Sequence, residues 1–299
     1  VHSKPVFVGK ANKYYKDRWA DESARENVNP YSDFVQVVGA RLPMLYIGAN
    51  DGYLHGFRAD DGYRHFSYMP SFLLKDIGLL ADTNYTHQYF MDGQIAVDDV
   101  CLAKPGDGCD WMTLLVGSGG SGGQGLFALD VTTPGLINAS KVLWEFTDLN
   151  NNSGAATPHE ADLGYVMGTP NIGRFRKAGS AGSARDAGQW LVVFGGGYHN
   201  TEDNLQKRGY RNPFSIGGTD PATTKSTTGQ AYLYMLDARN GKIVKKIGVP
   251  GGSVTNPNGV GSPALIDADS DDIIDYVYFG DLLGRLWKID VRNDNPDKW

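Results

Sequence analysis

Basic charge, cysteine and long apolar runs are all scarce in this sequence, and each scarcity excludes something. The 28 Lys and Arg residues are outnumbered by 34 Asp and Glu, giving a net charge of −6 over 299 residues. Nowhere do Lys and Arg cluster as a surface for nucleic acid or anionic lipid requires, so neither is an expected partner. No apolar stretch reaches the roughly 18 residues that a membrane-spanning helix needs. The chain starts at Val1 with no initiating Met and no signal peptide, which reads as a single domain, residues 1–299, excised from a longer protein. Its six histidines lack ligand spacing such as His-x-x-x-His, and no Gly-x-Ser-x-Gly elbow occurs. No carboxylate pair can be set face to face from sequence. An enzyme is therefore not expected.

The only cysteines are Cys101 and Cys109, and Pro105, Gly106 and Gly108 lie between them. Such a segment folds back on itself readily, so a local disulfide is expected, and with it an oxidising compartment. Two free loop thiols are the alternative.

What the sequence has in quantity is glycine, 39 residues, with little long helical periodicity. Together these indicate an all-β chain rich in tight turns. Four segments share one pattern of apolar strand, Gly-rich turn and alternating strand ending near Asp or Ala: Leu45–Ala59, Leu114–Val131, Leu191–Ala238 and Tyr276–Val291. The equivalent positions Phe57, Leu129, Leu236 and Ile289 are 72, 107 and 53 residues apart. Propeller blades run about 40–50 residues, so the spacing suits a modified, irregular β-propeller with loop and short helical insertions, of about seven blades. Each segment reads as an inner strand, a hairpin and a middle strand. Asn50-Asp51-Gly52, Asp61-Gly62 and Asn240-Gly241 supply residues that tolerate the positive φ of tight hairpins. A β-sandwich competes, but leaves the repeated ending unexplained.

Insertions are expected at residues 9–33, at 71–92 with one short helix capped near Ser71, and as polar loops at 148–160, 176–188 and 198–229. Trp111, Trp144, Trp190 and Trp287 read as packing between blades, and His55 as a packed side chain in a repeat strand. The run Gly117–Gly125 lacks the Lys-Ser/Thr and following helix of a phosphate-binding loop, since Leu126-Phe127 opens a strand.

The densest chemistry lies in Asp267–Asp275, with carboxylates at relative positions 1, 3, 5 and 9 and a main-chain carbonyl, that of Ile273, at 7. A hard cation such as Ca²⁺ takes 6–8 oxygen ligands at about 2.3–2.6 Å, and alternating Asp residues can wrap one. Five carboxylates in nine residues, with no basic residue within the run, otherwise repel one another. The candidate ligands are Asp267, Asp269, Asp271, the Ile273 carbonyl and Asp275. Tyr278 stands where an EF-hand has its position-12 Glu, so a nine-residue loop between strands is expected, holding Ca²⁺ rather than Mg²⁺. A solvated acidic turn is the plainer alternative.

Taken in order, His2–Gly9, Tyr46–Phe57, Gly117–Gly123 with Phe127–Thr132, Trp144-Glu145, Leu163-Gly164, Gly195–Tyr198, Asp267–Asp275 and Gly280–Trp287 resemble the C-terminal domain of the PilY/PilC family. These proteins are type IV pilus biogenesis factors and tip-associated adhesins. The resemblance implies a modified β-propeller and a calcium loop that controls pilus extension against retraction, with roles in twitching motility and attachment. It implies pilins or minor pilins and the pilus machinery as partners, with host or abiotic surfaces beside them. The implied location is the periplasm, outer membrane or extracellular pilus tip of a Gram-negative bacterium. Asp272 is a departure, because related loops commonly place Gly there for a left-handed turn. There is no Arg-Gly-Asp motif. The chain ends at Trp299, so a blade-closing strand is either missing or supplied by the N-terminal segment. Two rival readings are a quinoprotein-like (PQQ-type) propeller dehydrogenase and a purely scaffolding propeller. Cys101 and Cys109 are not adjacent, as the first rival requires.

Overall fold

In the computed structural model the described residues are 2–19, 24–74, 76–103, 108–148, 160–177, 188–201 and 225–299. The inserted loops expected at 148–160, 176–188 and 198–229 lie largely outside them. Among the described residues the strands form four antiparallel sheets, each a meander in chain order. The first sheet holds β1 (Val6–Val8), β2 (Met44–Gly48), β3 (Leu54–Arg58) and β4 (Arg64–Tyr68). The second holds β5 (Ile95–Ala103), β6 (Cys109–Ser118), β7 (Gly125–Asp130) and β8 (Val142–Thr147). The third holds β9 (Asn171–Arg176), β10 (Gly188–Gly195), β11 (Ala231–Asp237) and β12 (Ile243–Val249). The fourth has three strands, β13 (Ala264–Ile266), β14 (Tyr276–Gly280) and β15 (Leu286–Asp290).

The first strand of each sheet lies beside the first strand of the next, β1 by β5, β5 by β9 and β9 by β13. That is how propeller blades sit around an axis. The described residues make four sheets. One expectation is corrected. The repeated hairpins are the second and third strands of each sheet, while the inner strand comes from a separate, less regular segment. The N-terminal β1 pairs with β2 in the first sheet and adds nothing to the three-stranded fourth.

The repeat survives at the level of single residues. Leu45 faces Phe57, Leu115 faces Leu129, Val192 faces Leu236 and Val277 faces Ile289. A bulge falls at the same step in three sheets, at Gly56/Phe57, Ala128/Leu129 and Met235/Leu236. A bulge at a fixed step sharpens the twist equally in each sheet and belongs to the design of the repeat. The expected hairpin glycines Gly52, Gly62 and Gly241 have φ of +90°, +72° and +68°.

The burial of both faces of a strand explains why the middle of β6, Leu114–Val116, and of β10, 190–194, is continuously apolar. Leu114 and Val116 face the third sheet, packing with Val192, Phe194 and Leu236, while Leu115 turns to the first sheet with Met44 and Tyr46. On β10, Leu191 and Val193 point the other way, to Val277 and Phe279 of the fourth sheet. Each such side chain, once buried, contributes about 1.5–3 kcal/mol of transfer free energy. Trp144 and Trp190 sit in the core between the second and third sheets, with Trp111 half-buried against it, and Trp287 packs on the core next to the fourth. His55 is buried and bonds Ser67 and Asp51. The expected helix after Ser71 is split into α2 (Ser71–Leu74) and a separate 3-10 turn, Ile77–Ala81. Gly78 within that stretch disfavours a continuous helix.

The N-terminal insertion includes α1 (Tyr31–Val37). It is held to β5 by Tyr15, whose hydroxyl donates to Asp98 at 3.0 Å, and by Tyr31, which donates to buried Asp99 at 2.6 Å. Burial, with the neighbouring Asp98 and Asp99 carboxylates behind it, pushes both phenols up, so both remain donors. Lys16 and Trp19 of the same insertion meet the acidic loop.

Candidate metal centre

The acidic run forms the connection between β13 and β14, as a loop between strands. Ile266 and Tyr276 close its base as a strand pair, and Asp275 N donates to Ile266 O at 2.9 Å. Inside the loop the backbone wraps onto its own carboxylates. Asp267 Oδ1 accepts from Ser270 N at 2.8 Å and Asp271 N at 3.2 Å, and its Oδ2 from Asp272 N at 2.9 Å. Asp271 Oδ1 accepts from Ile273 N at 2.8 Å, and Asp275 Oδ2 from Ala268 N at 2.9 Å. So tight a path needs left-handed residues, and Ser270 and Asp272 have φ of +61° and +68°. Asp272 thus adopts the left-handed conformation expected at that position, as a short polar side chain can.

Wrapping brings Asp267, Asp269 and Asp275 together, each offering an oxygen within 4.8 Å of the others. Two ligands on opposite sides of an ion at 2.3–2.6 Å stand about 4.6–5.2 Å apart, so these three oxygens are close enough to share one such ion. Asp271 is not in that group. Its Oδ2 accepts from Arg176 Nη2 at 2.9 Å, while Arg176 Nη1 donates to Asp275 Oδ1 at 2.9 Å. Burial pushes the Asp271 carboxyl above its ordinary value against the opposing pull of Ile273 N and Arg176. Ile273 itself is buried, packed with Trp19 and Ala24 of the N-terminal insertion.

Sequence reasoning missed the cations that reach this loop from afar. Arg176 ends β9, and Lys16 belongs to the N-terminal insertion, where its Nζ donates to Ser270 O at 2.7 Å and lies 3.6 Å from Asp272 Oδ2. No local spacing announces either, since both arrive by tertiary packing. Even so, among the described residues five carboxylates meet two cationic side chains, Arg176 and Lys16.

Cys101 and Cys109 are joined as a disulfide across the end of the β5–β6 hairpin, with Cα atoms 5.4 Å apart. Pro105 and Gly106, which prompted that expectation, lie outside the described residues. The Gly117–Gly125 run is a hairpin turn, as expected. Gly122 packs against the Phe90 backbone so closely that a Cβ would lie 1.7 Å from Phe90 O.

Radial four- and three-stranded sheets, one carrying an aspartate-lined loop between its first two strands, define a β-propeller with a candidate cation loop. The chain belongs to the family of PilY1 beta-propeller domains, whose family description matches residues 1–299. Among relatives, it is 33% identical over 313 residues to a type IV pilus biogenesis factor PilY1 homolog of Xylella fastidiosa, covering 100% of this chain and 18% of that protein. It is 33% identical over 304 residues to the type IV pilus biogenesis factor PilY1 of Pseudomonas aeruginosa, covering 99% of this chain and 21% of that one. The crystal structure of the Pseudomonas aeruginosa PilY1 C-terminal domain superimposes with a TM-score of 0.63 at 34% identity, over 95% of this chain and 45% of that chain. The chain thus spans about a fifth of the length of these two relatives. They are named as biogenesis factors rather than enzymes. No helix among the described residues is long and apolar enough to cross a membrane.

Proposed function

We propose that residues 1–299 are a single propeller domain of a type IV pilus biogenesis factor, non-enzymatic, in which the loop Asp267–Asp275 takes Ca²⁺. The observation that carries the reading is the convergence of Asp267, Asp269 and Asp275 at ion-sized spacing. Asp271 and the Ile273 carbonyl complete the ligand set expected from the sequence. The bound ion supplies positive charge, neutralising carboxylates that otherwise repel across one loop. Ca²⁺ suits so carboxylate-rich a site better than Mg²⁺, which keeps several waters in a tight octahedron.

The chain's own residues tell what the ion would act upon. Ile274 N donates to Arg174 O of β9 at 2.8 Å, and Ile273 packs on Trp19. The loop therefore touches the third sheet and the N-terminal insertion at once, and its charge bears on how both are held. Through such a contact, ion occupancy sets pilus extension against retraction, and with it twitching motility and surface attachment. Pilins or minor pilins and the pilus machinery are the partners, and host or abiotic surfaces the targets. The periplasm, outer membrane or pilus tip of a Gram-negative bacterium is the location. The test is a twitching and surface-pilus assay of a strain whose full-length protein carries Asp269→Ala. Lost calcium dependence of piliation is expected, and wild-type twitching with an unchanged calcium response would sink the reading.

A further inference from the structure

Arg176 stands where a divalent cation has to contend with it. Its guanidinium bridges two carboxylates, Asp275 Oδ1 and Asp271 Oδ2, each at 2.9 Å. Asp275 is one of the three converging aspartates and Asp271 is the one left out. An ion at the loop would share Asp275 with a fixed positive charge a few ångströms away. It would also find Asp271 already engaged. Two like charges at that separation repel strongly in a partly buried site.

Arg174, two residues earlier on the same strand, shows by contrast what a permanent ion pair looks like here. It is 1% exposed, bonded to Glu26 at 2.8 Å and stacked over the Trp19 ring at 4.3 Å. The Arg176 side chain is 27% exposed, and Asp271 beside it 29%. Arg176 is partly open to water, while the backbone bond from Ile274 N to Arg174 O ties the loop to β9 independently of its side chains.

We propose that Arg176 is a built-in counter-ion of the acidic loop. In the ion-free protein it holds Asp271 out of the carboxylate cluster and neutralises part of the surplus charge. On binding a divalent cation it releases Asp271 to the ion, so Arg176 sets the affinity of the site below what the carboxylates alone would give. The inference rests on the loop being a cation site. It names the residue that tunes that site.

Calorimetric titration with calcium chloride, and thermal melts in chelator and in calcium, test it on wild type, Arg176→Gln and Arg176→Lys. Arg176→Gln is expected to bind Ca²⁺ about tenfold more tightly because a competing charge is gone. It should melt lower than wild type in chelator and show the larger calcium-dependent rise. Arg176→Lys, which keeps the charge but loses the two-pronged fork, is expected between them. If wild type binds Ca²⁺ and Arg176→Gln binds it equally or more weakly, Arg176 organises the site rather than competing for it, and the proposal is overturned. If wild type takes up no Ca²⁺, the cation-site reading falls and this inference with it.

Discussion

Two aspartate-led turns flank β14, and they use their carboxylates in opposite ways. At the far end, Asp281 gathers five donors onto one carboxylate: Leu283 N at 3.1 Å, Arg285 N at 3.0 Å, Arg285 Nε at 2.8 Å, Trp287 Nε1 at 3.0 Å and Asn258 Nδ2 at 3.3 Å. At the near end, Asp267–Asp275 sets five carboxylates on a short stretch of backbone and, among the described residues, meets Arg176 and Lys16 as cations. Burial works to raise the Asp281 carboxyl, but the donors, Arg285 foremost, outweigh it and hold the group well below the usual carboxylate range. Burial prevails at Asp271 and the group is pushed up. A carboxylate supplied with all its donors is a structural turn, and Asp51 beside His55 in the first sheet is a second example. The acidic cluster lacks such a full set of donors, and its charge is what the proposed ion would neutralise.

The largest expected effect tests the structural side of that contrast. Asp281→Ala strands Arg285, Trp287 and Asn258 without their acceptor. It should cost about 3 kcal/mol by denaturant unfolding, the scale of losing charge-assisted bonds and leaving buried Asn258 without this acceptor. The loss should be identical in calcium and in chelator. A calcium-dependent loss would break the comparison. Next in size is the ion's own contribution: at a hundred times its dissociation constant, Ca²⁺ should add about 2.7 kcal/mol to wild type. Asp269 is exposed, so Asp269→Ala should change stability in chelator by less than about 0.5 kcal/mol. It should nonetheless abolish most of the calcium increment. Retention of the full increment in that variant would show that the ion, if any, binds elsewhere.

Both turns were legible in the sequence, for different reasons. The hairpins that carry Asp51 and Asp281 were read from glycine turns between apolar strands, and the pairing of Leu45 with Phe57 and Val277 with Ile289 follows that pattern. The acidic loop was legible because its ligands alternate over nine consecutive residues. The inner strands were not, since β1 and β13 are three residues long, and the N-terminal insertion parts β1 from its hairpin as the acidic loop parts β13. The partners of the loop were hidden as well. Lys16 lies 254 residues from Ser270 in sequence, and Trp19 meets Ile273 only because the N-terminal insertion crosses from β5 to the fourth sheet. Local chemistry is written in local sequence, whereas the counter-charges that tune it come from packing between sheets.

The smallest expected effect is also the sharpest, because the two turns should answer pH with opposite signs. Asp281 has a depressed value in the fold. Its stabilisation is therefore complete above the unfolded value of about 3.9 and is lost as pH falls through the lower folded value. The stability gap between wild type and Asp281→Ala should hold steady from pH 7 downward and close only in strong acid. Asp271 has a raised value, so in chelator its ionisation weighs against the fold. That cost is absent below about pH 3.9 and grows as pH rises through the raised folded value. Asp271→Asn should therefore gain on wild type as pH rises from 4 toward 7 in chelator. Added Ca²⁺ should shrink that gain, because the ion favours the ionised carboxylate. The measurement is denaturant unfolding of the three proteins across that range. Gaps that move with the same sign would mean that Asp271, like Asp281, has all the donors it needs, leaving no charge for an ion to neutralise.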